Sequence, residues 1–402
     1  MRLTSFSHAV KASIQITGSK SESNRLLILQ QLYPNLAIEN LSNSDDTQLL
    51  EKALKSELEV VNIGHAGTAM RFLTAYFATI PGREVVLTGS GRMKDRPIRI
   101  LAEALKTLGA EIEYVEKEGF PPLKITGKEL TVSSLEIDGN VSSQYISALL
   151  LIGGRLKNGL KLTFKGTVTS VPYIKMTLSL LEQIGVENNW EGATITVKPT
   201  AFIADKLVTV ESDWSSASYY FSYAALAKGS EISLSSYKKS SLQGDAILVD
   251  IYKKLGVNTV FSKNHIRLTQ TDVSPDFMLE LDLKSAPDIA QTIVVTCFGM
   301  GISCDLTGLH TLKIKETDRL VALKTEIEKL GGAVRITDDR LILEKSSKIK
   351  TLINIDTYQD HRMAMAFAPL ATRVDIGINE ATVVSKSYPA FWEDYAKVST
   401  NS

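Results

Sequence analysis

Two interleaved series of signals, each recurring every seventy-odd residues, constrain this chain more than any single motif in it. Four segments, "KTLGAEIEYV", "LEQIGVENN", "YKKLGVNTV" and "EKLGGAVRI", pass from a helix-like run through a glycine into a strand-like run, with Gly109, Gly185, Gly256 and Gly331 spaced 76, 71 and 75 residues apart. Each glycine fits the position just past a helix C-terminus, where the backbone takes φ > 0 before turning into a strand. Five polar turns lead directly into apolar runs, "GHAGTAMRFLTAYFA", "VSSQYISALLLI", "SDWSSASYYFSYAAL", "APDIAQTIVVTCF" and "QDHRMAMAFAPLA". Their markers His65, Ser142, Asp213, Asp288 and Asp360 step by 77, 71, 75 and 72 residues. From each of the first four markers to its own glycine is 44, 43, 43 and 43 residues. Unrelated helices would not keep that register. Each unit therefore holds two helices interleaved with strands, and "GSKSESNR" starts a shorter first one, so six units fill the chain. The period exceeds the ~20 to 50 residues of common solenoids, so three units could close around one axis. The expected fold is α/β, a two-domain pseudo-symmetric repeat with a seam near "VTVESDWSS".

The chain can fill such a core, because 44% of its 402 residues are hydrophobic and 22% charged. Lys plus Arg equals Asp plus Glu at 45 each, which removes the electrostatic footprint of a nucleic-acid or polybasic membrane-surface binder. Only Cys297 and Cys304 occur, too few for a disulfide scaffold and without zinc-ligand spacing. The first twenty residues lack a signal-peptide core, and no stretch reaches the ~18 apolar residues of a membrane span, so a cytoplasmic protein is expected. Nothing in the pattern suggests assembly, and a monomer is the default.

Within that neutral total, cations sit where a helix dipole should repel them. Lys20 and Arg25 flank the start of "GSKSESNRLLILQQL", Arg362 follows Asp360 in "DHRMAM", and Lys315 and Arg319 bracket "KETDR". Leu320, Leu323, Ile327 and Leu330 keep the 3.6-residue period, so "KETDR" reads as the first turn of an amphipathic helix. Arg92, Lys94, Arg96 and Arg99 surround "GRMKDRPIRILAEALKTLG", read as a helix with Pro97 at its first position. Lys386 lies in "VVSKSYPAFW". A bound anion would make such cations favourable. The competing reading has Lys20 and Arg25 on the solvated surface with Ser21 or Ser23 as the N-cap. The repetition favours a concave anion site between the domains, for a ligand with phosphate or several carboxylates. With no GxxxxGK[ST] and no GxGxxG after a strand, nucleotide binding is disfavoured. Ser142, Ser143, Gln144, Ser170 and Tyr173 offer neutral donors suited to hydroxyls and phosphate oxygens, although Ser and Gln also serve as ordinary caps. Asp288 and Glu316 are the acid–base candidates, although on spacing alone helix capping is the better account of either.

At these residues the sequence resembles the EPSP (5-enolpyruvylshikimate-3-phosphate) synthase family of the enolpyruvyl transferases. "GSKSESNR", "GHAGTAMR", "RMKDRPI", "DGNVSSQY", "SDWSSASYY", "KETDRL", "DHRMAM" and "SKSYP" occur in family order from residue 18 to residue 389. The resemblance implies two domains of three βαβαββ units, here residues 19–211 and residues 1–18 with 212–402, joined by a double crossover. It also implies transfer of the enolpyruvyl group of phosphoenolpyruvate to the 5-hydroxyl of shikimate 3-phosphate, with release of phosphate, in aromatic amino acid biosynthesis. No metal or cofactor is implied. Shikimate 3-phosphate would be held by Lys20, Ser21, Arg25, Ser142, Ser143, Gln144, Ser170, Tyr173, Asp288 and Lys315. Phosphoenolpyruvate would be held by Lys20, Gly67, Arg96, Gln144, Arg319, Arg362 and Lys386. Asp288 would be the base and Glu316 the acid, with Lys20 assisting, and domain closure would accompany binding.

The sequence leaves two alternatives open. The sister enzyme acting on UDP-N-acetylglucosamine shares the fold but carries a reactive cysteine, or occasionally Asp, where this chain has "GSGRMKDRP". A non-catalytic anion-binding paralogue would be expected to have lost a carboxylate. The chain departs from the common family pattern at His65, where Asn is usual, at Phe72, where Pro is usual, and at Thr311, where Asn is frequent. Weakened inhibition by glyphosate is the expectation from His65 and Phe72.

Overall fold

The computed structural model describes residues 1–169, 171–263, 265–271 and 277–400. The chain divides into two compact units, one of Gly18–Val210 and one of Met1–Thr17 with Glu211–Ser402.

In the Gly18–Val210 unit, helices Lys20–Leu32, Gly67–Ala78 and Ser143–Gly153 touch one another at the centre. Helices Asp45–Leu54, Arg99–Thr107 and Val171–Gln183 alternate around them. The central positions follow from composition, since Tyr145 to Gly153 is buried on every side. A helix with no polar face is stable only where protein surrounds it. The second unit repeats the scheme with Trp214–Leu226, Ala290–Met300 and His361–Phe367. Every residue of Trp214–Leu226 except Ser215 is buried.

The sheets repeat as well. Val60–Asn62 runs parallel to Glu84–Thr88, which pairs antiparallel with Leu123–Thr126, itself paired with Glu111–Tyr114. The same order recurs in Ser134–Asp138, Leu160–Lys165, Thr194–Val197 and Asn188–Glu191. In the second unit it recurs in Met278–Asp282, Ser303–Thr307, Leu341–Leu343 and Val334–Ile336. A further copy takes its first strand, Lys11–Ile14, from the start of the chain and continues with Glu231–Ser235, His265–Gln270 and Val257–Phe261. Two repeats are reduced: Leu36–Glu39 pairs in parallel with Lys206–Thr209, and Ile353–Ile355 and Ile376–Ile378 gain Arg2–Leu3 as an antiparallel neighbour.

Gly109, Gly185, Gly256 and Gly331 all have positive φ, from 77° to 104°, one residue beyond the helix cap. At Gly109 and Gly185 an added Cβ would meet nothing within 4 Å, so glycine is required there by backbone conformation rather than by space.

Three local expectations need correction. Helix Arg99–Thr107 begins after Pro97, with Ile98 as its N-cap. The Pro97 carbonyl is engaged instead by Arg71 Nη2 at 3.2 Å and Tyr145 Oη at 2.6 Å. The "KETDR" segment is not a helical turn: the helix starts at Arg319, because the Asp318 carboxylate caps Leu320 N and Val321 N. The Lys20–Leu32 helix is capped by neither Ser21 nor Ser23 but starts after Ser19, with no side-chain cap bond. Ser23 Oγ accepts from Ser42 N at 2.9 Å.

Candidate functional site

In the Gly18–Val210 unit, the first helix brings Arg25 into the centre of the packed helices, where the residue is 3% exposed. Its Nε donates to Thr177 Oγ1 at 2.7 Å, Nη1 to the Ser21 carbonyl at 2.7 Å, and Nη2 to Ser147 Oγ at 3.0 Å and the Tyr173 carbonyl at 3.4 Å. The guanidinium carbon also stands 5.5 Å from the Phe72 ring centroid. All these partners are neutral, and burial pushes the Arg25 pKa down to about 10, against the opposing pull of Tyr173 and Glu22. A buried cation whose hydrogen bonds among the described residues go to neutral groups is expensive, and an anionic ligand would offset that.

At the start of Gly67–Ala78, a Cβ on Gly67 would lie 2.4 Å from Arg96 Nη1, so only glycine lets this guanidinium rest on the helix start. Thr68 Oγ1 accepts from Gln144 Nε2 at 3.1 Å. Ser142 caps its helix through Gln144 N, and Ser143 begins it. Lys20 Nζ lies 3.1 Å from Asp46 Oδ2, while the other Asp46 oxygen is buried and accepts no hydrogen bond among the described residues. His65 Nε2 is 3.9 Å from that second oxygen. Ser170 lies outside the described residues. The structure thus gathers Ser21, Arg25 and Tyr173 into one network, and Gly67, Arg96 and Gln144 around a neighbouring helix start.

Sequence reasoning missed Arg71, which is buried and donates to the Gly67 carbonyl at 3.1 Å and to that of Pro97. It ties the Gly67 helix start to the turn carrying Arg96. Burial lowers its pKa to about 10, with repulsion from Arg96 adding to the effect. The i,i+4 spacing of Gly67 and Arg71 was the available signal.

In the second unit, Arg319 opens its helix with a side chain 2% exposed and joins three carboxylates. Nε donates to Asp360 Oδ2 at 2.6 Å, Nη1 to Asp288 Oδ1 at 2.9 Å and Nη2 to Glu316 Oε2 at 2.9 Å. Lys386 Nζ reaches Glu316 Oε1 at 3.0 Å. Lys315 Nζ stands 3.5 Å from Asp288 Oδ1, and Arg362 Nη2 stands 3.4 Å from Asp288 Oδ2. Burial by itself would raise the Asp288 pKa, but Lys315, Arg362 and Arg319 together hold it well below the usual carboxylate range. The Arg319 pKa is raised: burial would lower it, and Asp360, Glu316 and Asp288 more than compensate. Asp288, Lys315, Glu316, Arg319, Arg362 and Lys386 therefore form one continuous charged cluster. The sequence treats Asp360 only as a helix-start marker, yet it is fully buried, grips Arg319 and caps Arg362 N at 2.9 Å.

Two α/β units built from repeats with central buried helices, and a cluster of paired cations and carboxylates, define an enolpyruvyl-transferase-like protein. The fold agrees with solved structures: an EPSP synthase from Acinetobacter baumannii superposes with TM-score 0.80 at 21% identity, covering 99% of this chain and 97% of that one. An enolpyruvyl transferase from Streptomyces tendae gives TM-score 0.72 at 12% identity, with 99% and 97% covered. A family model described as EPSP synthase (3-phosphoshikimate 1-carboxyvinyltransferase) matches residues 50–395. A 3-phosphoshikimate 1-carboxyvinyltransferase of Bacteroides fragilis is 48% identical over 393 residues, covering 96% of this chain and 95% of that protein. One from Shewanella halifaxensis is 35% identical, with 96% of each covered. The chain belongs to the EPSP synthase family. No helix among the described residues is long and apolar enough to cross a membrane.

Proposed function

We infer that this chain transfers the enolpyruvyl group of phosphoenolpyruvate to the 5-hydroxyl of shikimate 3-phosphate, releasing inorganic phosphate, as a monomer in the cytoplasm. The observation that carries this reading is the single Arg319 guanidinium holding both Asp288 and Glu316, with Arg362 and Lys386 on their remaining oxygens and Lys315 beside the Asp288 oxygen that Arg319 holds. Two carboxylates fixed by one planar fork suit paired proton transfers, and the surrounding cations suit a phosphorylated, carboxylated substrate.

In this proposal Ser21, Arg25, Ser142, Ser143, Ser170 and Tyr173, with Lys315, bind shikimate 3-phosphate, and Gln144 contacts both substrates. Lys20, Gly67, Arg96, Arg319, Arg362 and Lys386 bind phosphoenolpyruvate. Asp288 accepts the proton of the 5-hydroxyl as that oxygen attacks C2 of phosphoenolpyruvate, and Glu316 gives a proton to C3, assisted by Lys20. The product of this addition is a tetrahedral ketal phosphate. Phosphate then leaves C2 as C3 loses a proton, restoring the double bond. Asp288 is a weak base while three cations crowd it. Anionic substrates that share Lys315 and Arg362 would raise its proton affinity when it is needed.

The test is phosphate release from phosphoenolpyruvate by purified protein, with shikimate 3-phosphate or with UDP-N-acetylglucosamine. Release with the shikimate alone supports the reading. Release with the sugar nucleotide alone, or with neither, overturns it.

A further inference from the structure

We propose that Asp245 is a positioning residue for Arg362, acting through the hydroxyl of Ser215. This rests on the reading of Arg362 as a phosphoenolpyruvate ligand. Asp245 sits in the 3-10 turn Gly244–Ile247 and is 7% exposed, yet its hydrogen bond runs to a neutral group, the Ser215 hydroxyl, which donates to Oδ2. Ser215 Oγ in turn accepts from Arg362 Nη2 at 3.2 Å. Ser215 is also the one residue of Trp214–Leu226 that is not buried.

A serine hydroxyl has a single proton. Once that proton is committed to the Asp245 carboxylate, the oxygen lone pairs face Arg362, and the order Arg to Ser to Asp is fixed in direction. Arg362 Nη2 is then held by Ser215 on one side and by Asp288 Oδ2 at 3.4 Å on the other. Among the described residues, the hydrogen bonds of this guanidinium run through Nη2 alone. The relay thus leaves Nε and Nη1 outside it, each as a single donor that a ligand oxygen could take. The fold keeps Asp245 at a cost. Burial raises its pKa to about 6, with repulsion from Asp288 and Asp213 adding and with Arg362 and Ser215 opposing. A fold selected for stability alone would bury a neutral side chain at this position.

The experiment compares wild type, Asp245→Asn, Ser215→Ala and the double variant in steady-state kinetics, with thermal melts to show that each is folded. The amide of Asn can donate to Ser215 Oγ and turn the hydroxyl proton toward Arg362, so it does not reproduce the relay. Each single variant is expected to raise KM for phosphoenolpyruvate about tenfold, with kcat changed less than about threefold, KM for shikimate 3-phosphate unchanged and no further loss in the double variant. Equal movement of both KM values, multiplying effects in the double variant, or no effect would overturn the proposal. Nitrogen-15 NMR of arginine side chains, assigned with Arg362→Lys, reads the grip without turnover. Hindered rotation of the Arg362 guanidinium in wild type, released in both single variants, supports it, and unchanged rotation refutes it. A wild type that releases no phosphate would overturn the functional reading while the NMR result still decides the relay.

Discussion

Replacing Asp245 by Asn should make the protein more stable at neutral pH, by an amount that vanishes in acid. The carboxyl is buried, and its pKa rises from 3.8 to about 6, chiefly through lost solvation and then through Asp288. Between those two values the folded state holds a proton that the unfolded state has released, so stability falls as pH rises through that window. At about 1.4 kcal/mol per tenfold, the full penalty near neutrality is about 3 kcal/mol. Asn cannot ionise and avoids it. The other groups that face Asp245, namely Asp288, Asp213 and Arg362, remain in both proteins, so their titration largely cancels in the comparison. Calorimetric melts of wild type and Asp245→Asn should coincide near pH ~4 and separate by several degrees near pH ~7, with the variant higher. A variant that is equally or less stable throughout, with a gap independent of pH, would refute the reasoning. Together with the expected loss of phosphoenolpyruvate affinity, this would mark Asp245 as a residue that trades stability for positioning.

Asp288→Asn and Glu316→Gln are each expected to lower kcat by ~10² or more with KM changed only a few-fold, and near-normal turnover in either variant would remove its assignment. Gly109→Ala, at φ 104° with open space around the new methyl, should cost about 1–2 kcal/mol in denaturant unfolding; a neutral result would mean that the helix end relaxes. His65 stands near the unpaired oxygen of Asp46, and Phe72 packs against Arg25. Restoring Asn and Pro at these two positions should tighten glyphosate inhibition about tenfold, and an unchanged inhibition constant would rule out both residues as its cause.

The repeat was legible because its signals are local. A glycine forced to positive φ and a polar turn before an apolar run each depend on neighbouring residues. Element starts were less legible where a tertiary bond competes with a local preference. Pro97 suits the first position of a helix, but its carbonyl is claimed by Arg71 and Tyr145, 26 and 48 residues away. The misplaced cations could be noticed in the sequence, and their family pattern proposes ligands for them, but it could not say which of them share a carboxylate.

By itself the sequence determined the period, the all-round apolar helices that must be central and the set of charged residues spread over six repeats. Only tertiary structure decided that Arg319 would join Asp288, Glu316 and Asp360, and that Asp245 would reach Arg362 through Ser215. The reason is physical. Helix and turn preferences act over a few residues, whereas a buried charge is stabilised by whatever partner the packing brings within hydrogen-bonding distance, however far away that partner lies in the chain.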